Sequence, residues 1–157
     1  MDKETWKAQW RAAVEEADSL IDCIGRPVDL FIRDTVAILR LYGLPTTASC
    51  EGHLERRCHY PWVDIEVAET IAPLNEGKLK GERDLESLLE AFHRQRSDPS
   101  YAVLIIDKLK GGNIRLHCAE GDDVELLHGE KLEERLECHQ KVMREFTFFL
   151  KERYANA

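Results

Sequence analysis

The segment PWVDIEV alternates strictly between apolar and polar side chains after its proline and tryptophan. Val63, Ile65 and Val67 fall on one side of an extended chain, and the carboxylates of Asp64 and Glu66 fall on the other. Because successive side chains of a β-strand point to opposite faces, this pattern predicts a strand with Val63 facing a core and Asp64 facing away from it. The chain should therefore contain a sheet that packs on one face.

Three further short segments predict the partners of this strand. TTASC is β-branched at its front and is bounded by Pro45 and Gly52, so it predicts a strand that ends in a turn and forms a hairpin with PWVDIEV. YAVLIIDKL and NIRLHCA flank the glycines of KGGN, which predicts a second hairpin. In its second strand Leu116 and Cys118 should face one way, and Arg115 and His117 the other.

Four segments repeat apolar residues every three or four positions, which is typical of helices. The first runs to a stop at Gly25. The second runs from Pro27 to Gly43, the third begins at a capping Asp84, and the last spans residues 132–153. The order ααββαββα predicts an α+β fold, in which an antiparallel sheet of two hairpins carries its helices on one face. We expect residues 1–157 to form a single α+β domain.

Charge and composition restrict the partners. The chain has 157 residues, 43% of them hydrophobic, and a formal net charge of −8. An acidic protein has no general attraction to nucleic acid or to an anionic membrane surface. The charged N-terminal segment lacks the pattern of a secretory signal, and no run is long enough to span a bilayer. We therefore expect a cytoplasmic protein whose five cysteines are free thiols or metal ligands.

The densest group of metal-ligating residue types lies around the first turn. Cys50 and His53 are separated by two residues, a gap that lets both side chains reach one ion, and zinc is the cofactor that suits them. Cys58 and His59 are adjacent, so an extended chain would point them to opposite sides. His117 or Cys118 from the second hairpin is an alternative third ligand. The predicted metal ligands are Cys50, His53 and His117.

An anionic small-molecule ligand is the other hypothesis for this turn. Gly52 permits a left-handed conformation in which neighbouring backbone N–H groups converge on an anion. Ser49, His53, Arg56 and Arg57 add donors at the same place.

The polar faces of the two hairpins extend this candidate site. Asp64 and Glu66 share one strand face, and Arg115 and His117 share another. If the two rows lie opposite each other, carboxylates would pair with the cationic side chains in one polar cluster. The alternative is a simple solvated sheet face.

The turn TTASCEGHLER resembles the Thr-Thr-x-Ser-Cys-x-Gly turn of the tRNA wybutosine-synthesis methyltransferase family, and Ser-Cys-x-Gly-His turns of prokaryotic and phage proteins. The resemblance covers about a dozen residues, including Thr46, Thr47, Ser49, Cys50 and Gly52. It implies a small α+β domain that acts on a modified tRNA base with S-adenosylmethionine. That family has an arginine at the position of His53, so a contact to phosphate or carboxylate is lost here.

Two functions follow from the sequence. The first is a ligand- or metal-binding domain, with enzymatic activity left open, whose site comprises Ser49–His53 and the adjoining sheet face. The alternative is an acidic, non-enzymatic interaction module that uses its terminal helices. Trp6 and Trp10 in the first helix and Phe146 and Phe149 in the last could bury against each other or across a homodimer.

Overall fold

The computed structural model describes residues 1–55, 59–67, 80–96, 102–119 and 127–157. Helices and strands follow the order ααββαββα in these residues, which confirms the predicted α+β class. The helices are α1 (Lys3–Ser19), α2 (Arg33–Leu41), α3 (Lys80–Gln95) and α4 (Glu130–Ala155). The strands are β1 (Thr46–Cys50), β2 (Trp62–Ile65), β3 (Leu104–Lys108) and β4 (Ile114–Cys118).

The strands form one antiparallel sheet in the order β1-β2-β4-β3. The two hairpins therefore lie side by side, with β2 and β4 paired at the centre. Val63 pairs with Leu116 and Ile65 pairs with Ile114, so the apolar rows of the central strands lie on the same face. All four residues are at most 1% exposed, which confirms the predicted inward face of each hairpin.

Helices cover this apolar face. The core joins the sheet residues to side chains of α2, α3 and α4, among which Phe146 and Leu150 are completely buried. The ring of Phe92 in α3 meets that of Phe146 edge-on at a centroid distance of 5.2 Å, which ties α3 to α4. In the described part of the chain, no helix combines the length and the apolar character required to cross a membrane.

The terminal helices pack against each other within one chain. The ring of Trp6 lies 5.7 Å from that of Tyr154, and the Lys151 ammonium lies 3.9 Å from the ring centroid of Trp10. Phe146 and Phe149, which come earlier in α4, are buried and pack against Phe92 of α3. The expected contact between the two terminal helices is thus confirmed in its intramolecular form, and the homodimer stays a prediction.

Three helix boundaries differ by more than two residues from the sequence prediction. α1 ends at Ser19, before Gly25, and α2 begins at Arg33, well after Pro27. Pro27 instead pairs with Ile21 in an isolated β-bridge, because the Asp22 carboxylate accepts backbone N–H groups and bends the chain into a turn. The third difference is at α3, which begins at Lys80, so the expected capping residue Asp84 lies inside the helix.

Candidate metal centre

Gly52 makes the turn after β1, and only glycine fits there. Its φ is +84°, a conformation that L side chains rarely adopt. A Cβ at this position would lie 2.5 Å from Cδ1 of Leu136 and 3.0 Å from the carbonyl carbon of Tyr60. The glycine therefore lets the chain reverse tightly beneath α4, which places Cys50 and His53 on the same side of the turn.

Asp29, Cys50 and His53 bring three potential metal ligands together. One ligand atom from each residue, a carboxylate oxygen, the thiol sulfur and a ring nitrogen, lies within 4.8 Å of the other two. Oδ2 of Asp29 lies 3.3 Å from Nε2 of His53. Cys50 is buried, whereas Asp29 and His53 are half-buried, so the group is reachable from solvent on one side.

Reciprocal hydrogen bonds hold the Asp29 loop on the turn. The backbone N–H of Glu51 donates to Oδ2 of Asp29 at 3.1 Å, and the N–H of Phe31 donates to Oε2 of Glu51 at 2.9 Å. Each carboxylate thus satisfies a backbone donor of the segment opposite. Charge-assisted bonds of this kind are stronger than neutral ones, so the position of Asp29 is well defined.

Other side chains fix the turn itself. Nε2 of Gln140 in α4 donates to the Glu51 carbonyl at 2.9 Å, and the ring of His59 bonds the His53 carbonyl through Nδ1 at 3.1 Å. The N–H of Gly52 donates to Sγ of Cys50 at 3.4 Å. This contact holds the sulfur, a potential metal ligand, in place at the turn.

The donor atoms of this group match those of zinc. Cysteine sulfur, histidine nitrogen and carboxylate oxygen bind zinc at roughly 2.0–2.3 Å, so two ligands of one tetrahedral ion lie roughly 3.3–3.8 Å apart. Asp29 and His53 already have this spacing at 3.3 Å, and the outer limit of 4.8 Å for the group requires a contraction of about 1 Å when a metal binds. Three protein ligands would leave the fourth tetrahedral position open.

The structure places the other predicted metal ligands elsewhere. His117 lies in the central strand β4, separated from Cys50 by Trp62 of β2 in the same row, and its Nε2 lies 2.6 Å from Oδ2 of Asp107. Cys118 is completely buried in the core, and this burial raises its pKa to about 12, which keeps the sulfur protonated. The third potential ligand beside Cys50 and His53 is therefore Asp29, and not a residue of the second hairpin as predicted.

The predicted polar cluster on the sheet is present in part. Arg115 forms a fork with Asp64, with nitrogen–oxygen distances of 2.6 and 2.9 Å, and its guanidinium stacks 4.0 Å from the centroid of Trp62. The hydrogen bond with Asp64 raises the pKa of Arg115. Asp64 faces away from the apolar core, as expected, but is only 9% exposed because Arg115 covers it. Glu66 is exposed.

Of the remaining predicted residues, Ser49 is half-buried in β1, directly before Cys50. The anion and metal hypotheses also involved three residues that lie outside the described residues, namely Arg56, Arg57 and Cys58.

No protein-family model matches the chain, and neither does any curated protein or solved structure. The resemblance of the turn to the wybutosine-synthesis methyltransferases therefore stays a prediction from sequence.

Proposed function

We propose that the protein is a small metal-binding domain that holds zinc on Asp29, Cys50 and His53. The observation that carries this proposal is the convergence of three different ligand atoms within 4.8 Å. Asp29 and His53 are 24 residues apart in the chain, so local sequence proximity does not account for their contact. The hydrogen bonds of Glu51 and Gln140 give the site the outer support that metal ligands require.

The mixture of sulfur, nitrogen and oxygen favours zinc over other common cations. Magnesium and calcium take oxygen ligands, and a buried thiolate does not suit them. Copper(I) prefers sites with more sulfur. Zinc accepts all three donor types in one tetrahedral site.

A small anionic ligand is the occupant we propose for the open fourth position. A site with three protein ligands and partial solvent access can exchange its fourth ligand, as catalytic zinc sites do, whereas structural zinc sites have four protein ligands. The metal would supply the charge that attracts the anion to an otherwise acidic protein. This arrangement combines the two hypotheses that the sequence raised for the turn.

The experiment is metal analysis of protein that has been purified without a metal-affinity tag, followed by cobalt substitution. A cobalt–thiolate charge-transfer band reports coordination by cysteine. We expect this band in the wild type and its loss in Cys50→Ser, and we expect His53→Gln and Asp29→Asn to bind cobalt more weakly.

Two variants serve as matched controls. Cys23→Ser removes an exposed thiol, and His93→Gln removes a histidine whose ring already bonds the Leu104 carbonyl. Both should keep the cobalt band unchanged. A band that survives Cys50→Ser, or a wild type that binds no zinc or cobalt, would refute the proposed centre.

A further inference from the structure

A groove runs along the surface of α1 between two rows of side chains. It has a volume of about 370 Å³, and all the described residues that line it belong to this helix. Residues four positions apart form one row on a helix surface, so the groove separates an apolar row from a charged row. The apolar row is Trp6, Trp10 and Val14, and the charged row is Lys7, Arg11 and Glu15.

The core uses only part of the apolar row. Trp6, Trp10 and Val14 pack against the core but stay half-buried. Their remaining apolar surface lines the α1 groove. A groove between two such rows has the shape that accepts a row of side chains from another helix. The groove therefore fits a helical partner.

Two opposite charges in the charged row are available to such a partner. Most other charged side chains of α1 with a described ion pair are satisfied within the chain: Lys7 by Glu4, Glu16 by Arg40 and Asp18 by Arg33. Arg11 and Glu15 are exposed, and within the ranges that the structure describes their side chains form no ion pair or hydrogen bond. An acidic residue that precedes a basic one is the favourable order for a pair four residues apart, and Arg11 and Glu15 have the reverse order.

We propose that a second copy of this chain occupies the α1 groove, with a two-fold axis that passes midway between Arg11 and Glu15. Because the axis reverses the direction of the second helix, Arg11 lies opposite Glu15 of the partner subunit, and Glu15 lies opposite Arg11 of the partner subunit. The charged row of each helix enters the groove of the other. An unrelated partner would need its own matching charges, whereas two-fold symmetry supplies them automatically.

This interface specifies the homodimer that the sequence suggested for the terminal helices. It uses one face of α1 and shares no residue with the Asp29–Cys50–His53 group. The inference therefore goes beyond the proposed function and does not depend on it. Measurements on metal-free protein keep the two separate, because a dimer bridged by a metal ion cannot form there.

Sedimentation velocity over a range of protein concentrations tests the interface. We expect wild-type protein to dimerise. Arg11→Glu and Glu15→Arg should each weaken the dimer roughly tenfold to hundredfold, because each variant turns two attractive contacts into two repulsive ones. An equimolar mixture of the two variants should dimerise again, since one chain then has only cations at these positions and the other only carboxylates.

Arg94→Glu is the charge-matched control. Arg94 is exposed on α3, away from the groove lining, so this variant should dimerise like the wild type. If a charge reversal prevents folding, as judged by circular dichroism, the neutral variants Arg11→Gln and Glu15→Gln should each weaken the dimer instead.

Three results would overturn the proposed interface. The first is a wild type that stays monomeric at every concentration, which would assign the groove to a different partner. The second is a dimer that neither substitution at Arg11 nor substitution at Glu15 weakens, which would locate the contact elsewhere. The third is a mixture of the two charge-reversal variants that associates no better than each variant alone.

Discussion

Replacing Gly52 with alanine should destabilise the fold through two separate effects. The first is conformational, because the backbone φ of +84° is unfavourable for any L side chain. The second is steric, because the added methyl group would lie 2.5 Å from Leu136 and 3.2 Å from the nitrogen of Pro61. Cδ1 of Leu136 is the end of a flexible side chain and can shift, whereas the backbone atoms of Tyr60 and Pro61, at 3.0 and 3.2 Å, yield much less easily.

The two effects can be given magnitudes. A left-handed conformation costs an L residue about 1–2 kcal/mol. Inserting a methyl group into a well-packed site costs about 1–3 kcal/mol more. We therefore expect Gly52→Ala to lower the free energy of unfolding by roughly 2–5 kcal/mol, a large share of the ~5–15 kcal/mol that is typical of a small domain.

Gly25→Ala is the matched control for this prediction. Gly25 has a similar φ of +80°, but nothing lies within 4 Å of where its Cβ would be. It should therefore show only the conformational cost of about 1–2 kcal/mol. Urea unfolding followed by tryptophan fluorescence measures both variants. Equal losses of stability for the two would refute the close packing of Leu136 and of the Tyr60–Pro61 backbone around the turn.

Three further predictions concern other buried groups. In metal-free protein, stability should fall by up to about 3 kcal/mol as the pH drops from 6.5 to about 4, because the unfolded chain protonates His139 before the buried ring does. Denaturant titrations at several pH values measure this slope, which His139→Gln should reduce. Since burial raises the pKa of Cys118 to about 12, iodoacetamide should modify exposed Cys23 in the native protein and spare Cys118 until unfolding, as judged by peptide mass spectrometry. Arg115→Leu should lower the free energy of unfolding by roughly 1–3 kcal/mol by leaving Asp64 unpaired, and a calorimetric double-mutant cycle with Asp64→Asn should recover part of that loss.

The sheet could be predicted from sequence because its signal is local. When one face of a strand is buried, every second residue must be apolar, and this repeat is visible in the sequence. All four central apolar residues lie on the predicted face: Val63, Ile65, Ile114 and Leu116. The fork between Arg115 and Asp64 follows from the same alternation once the two hairpins are side by side.

The position of Asp29 beside Cys50 and His53 could not be predicted in the same way. The apolar periodicity after Pro27 indicated a continuous helix, in which Asp29 would have been a first-turn residue. The actual turn depends on the Asp22 carboxylate and on the bridge to Ile21, which compete successfully with helix formation. The contact of Asp29 with His53 is a tertiary interaction, and spacing within one segment carries no signal for it.

The exchanged hydrogen bonds between Glu51 and the Asp29 loop have a kinetic consequence. The amide hydrogen of Glu51 is held by a side chain of that loop, and the amide hydrogen of Phe31 is held by the Glu51 side chain. Separation of the two segments exposes both amides at once, so their hydrogen–deuterium exchange should follow one opening event with a common rate constant. The exchange rates of these two amides therefore measure how often the Asp29 loop separates from the Gly52 turn in protein that carries no bound ligand.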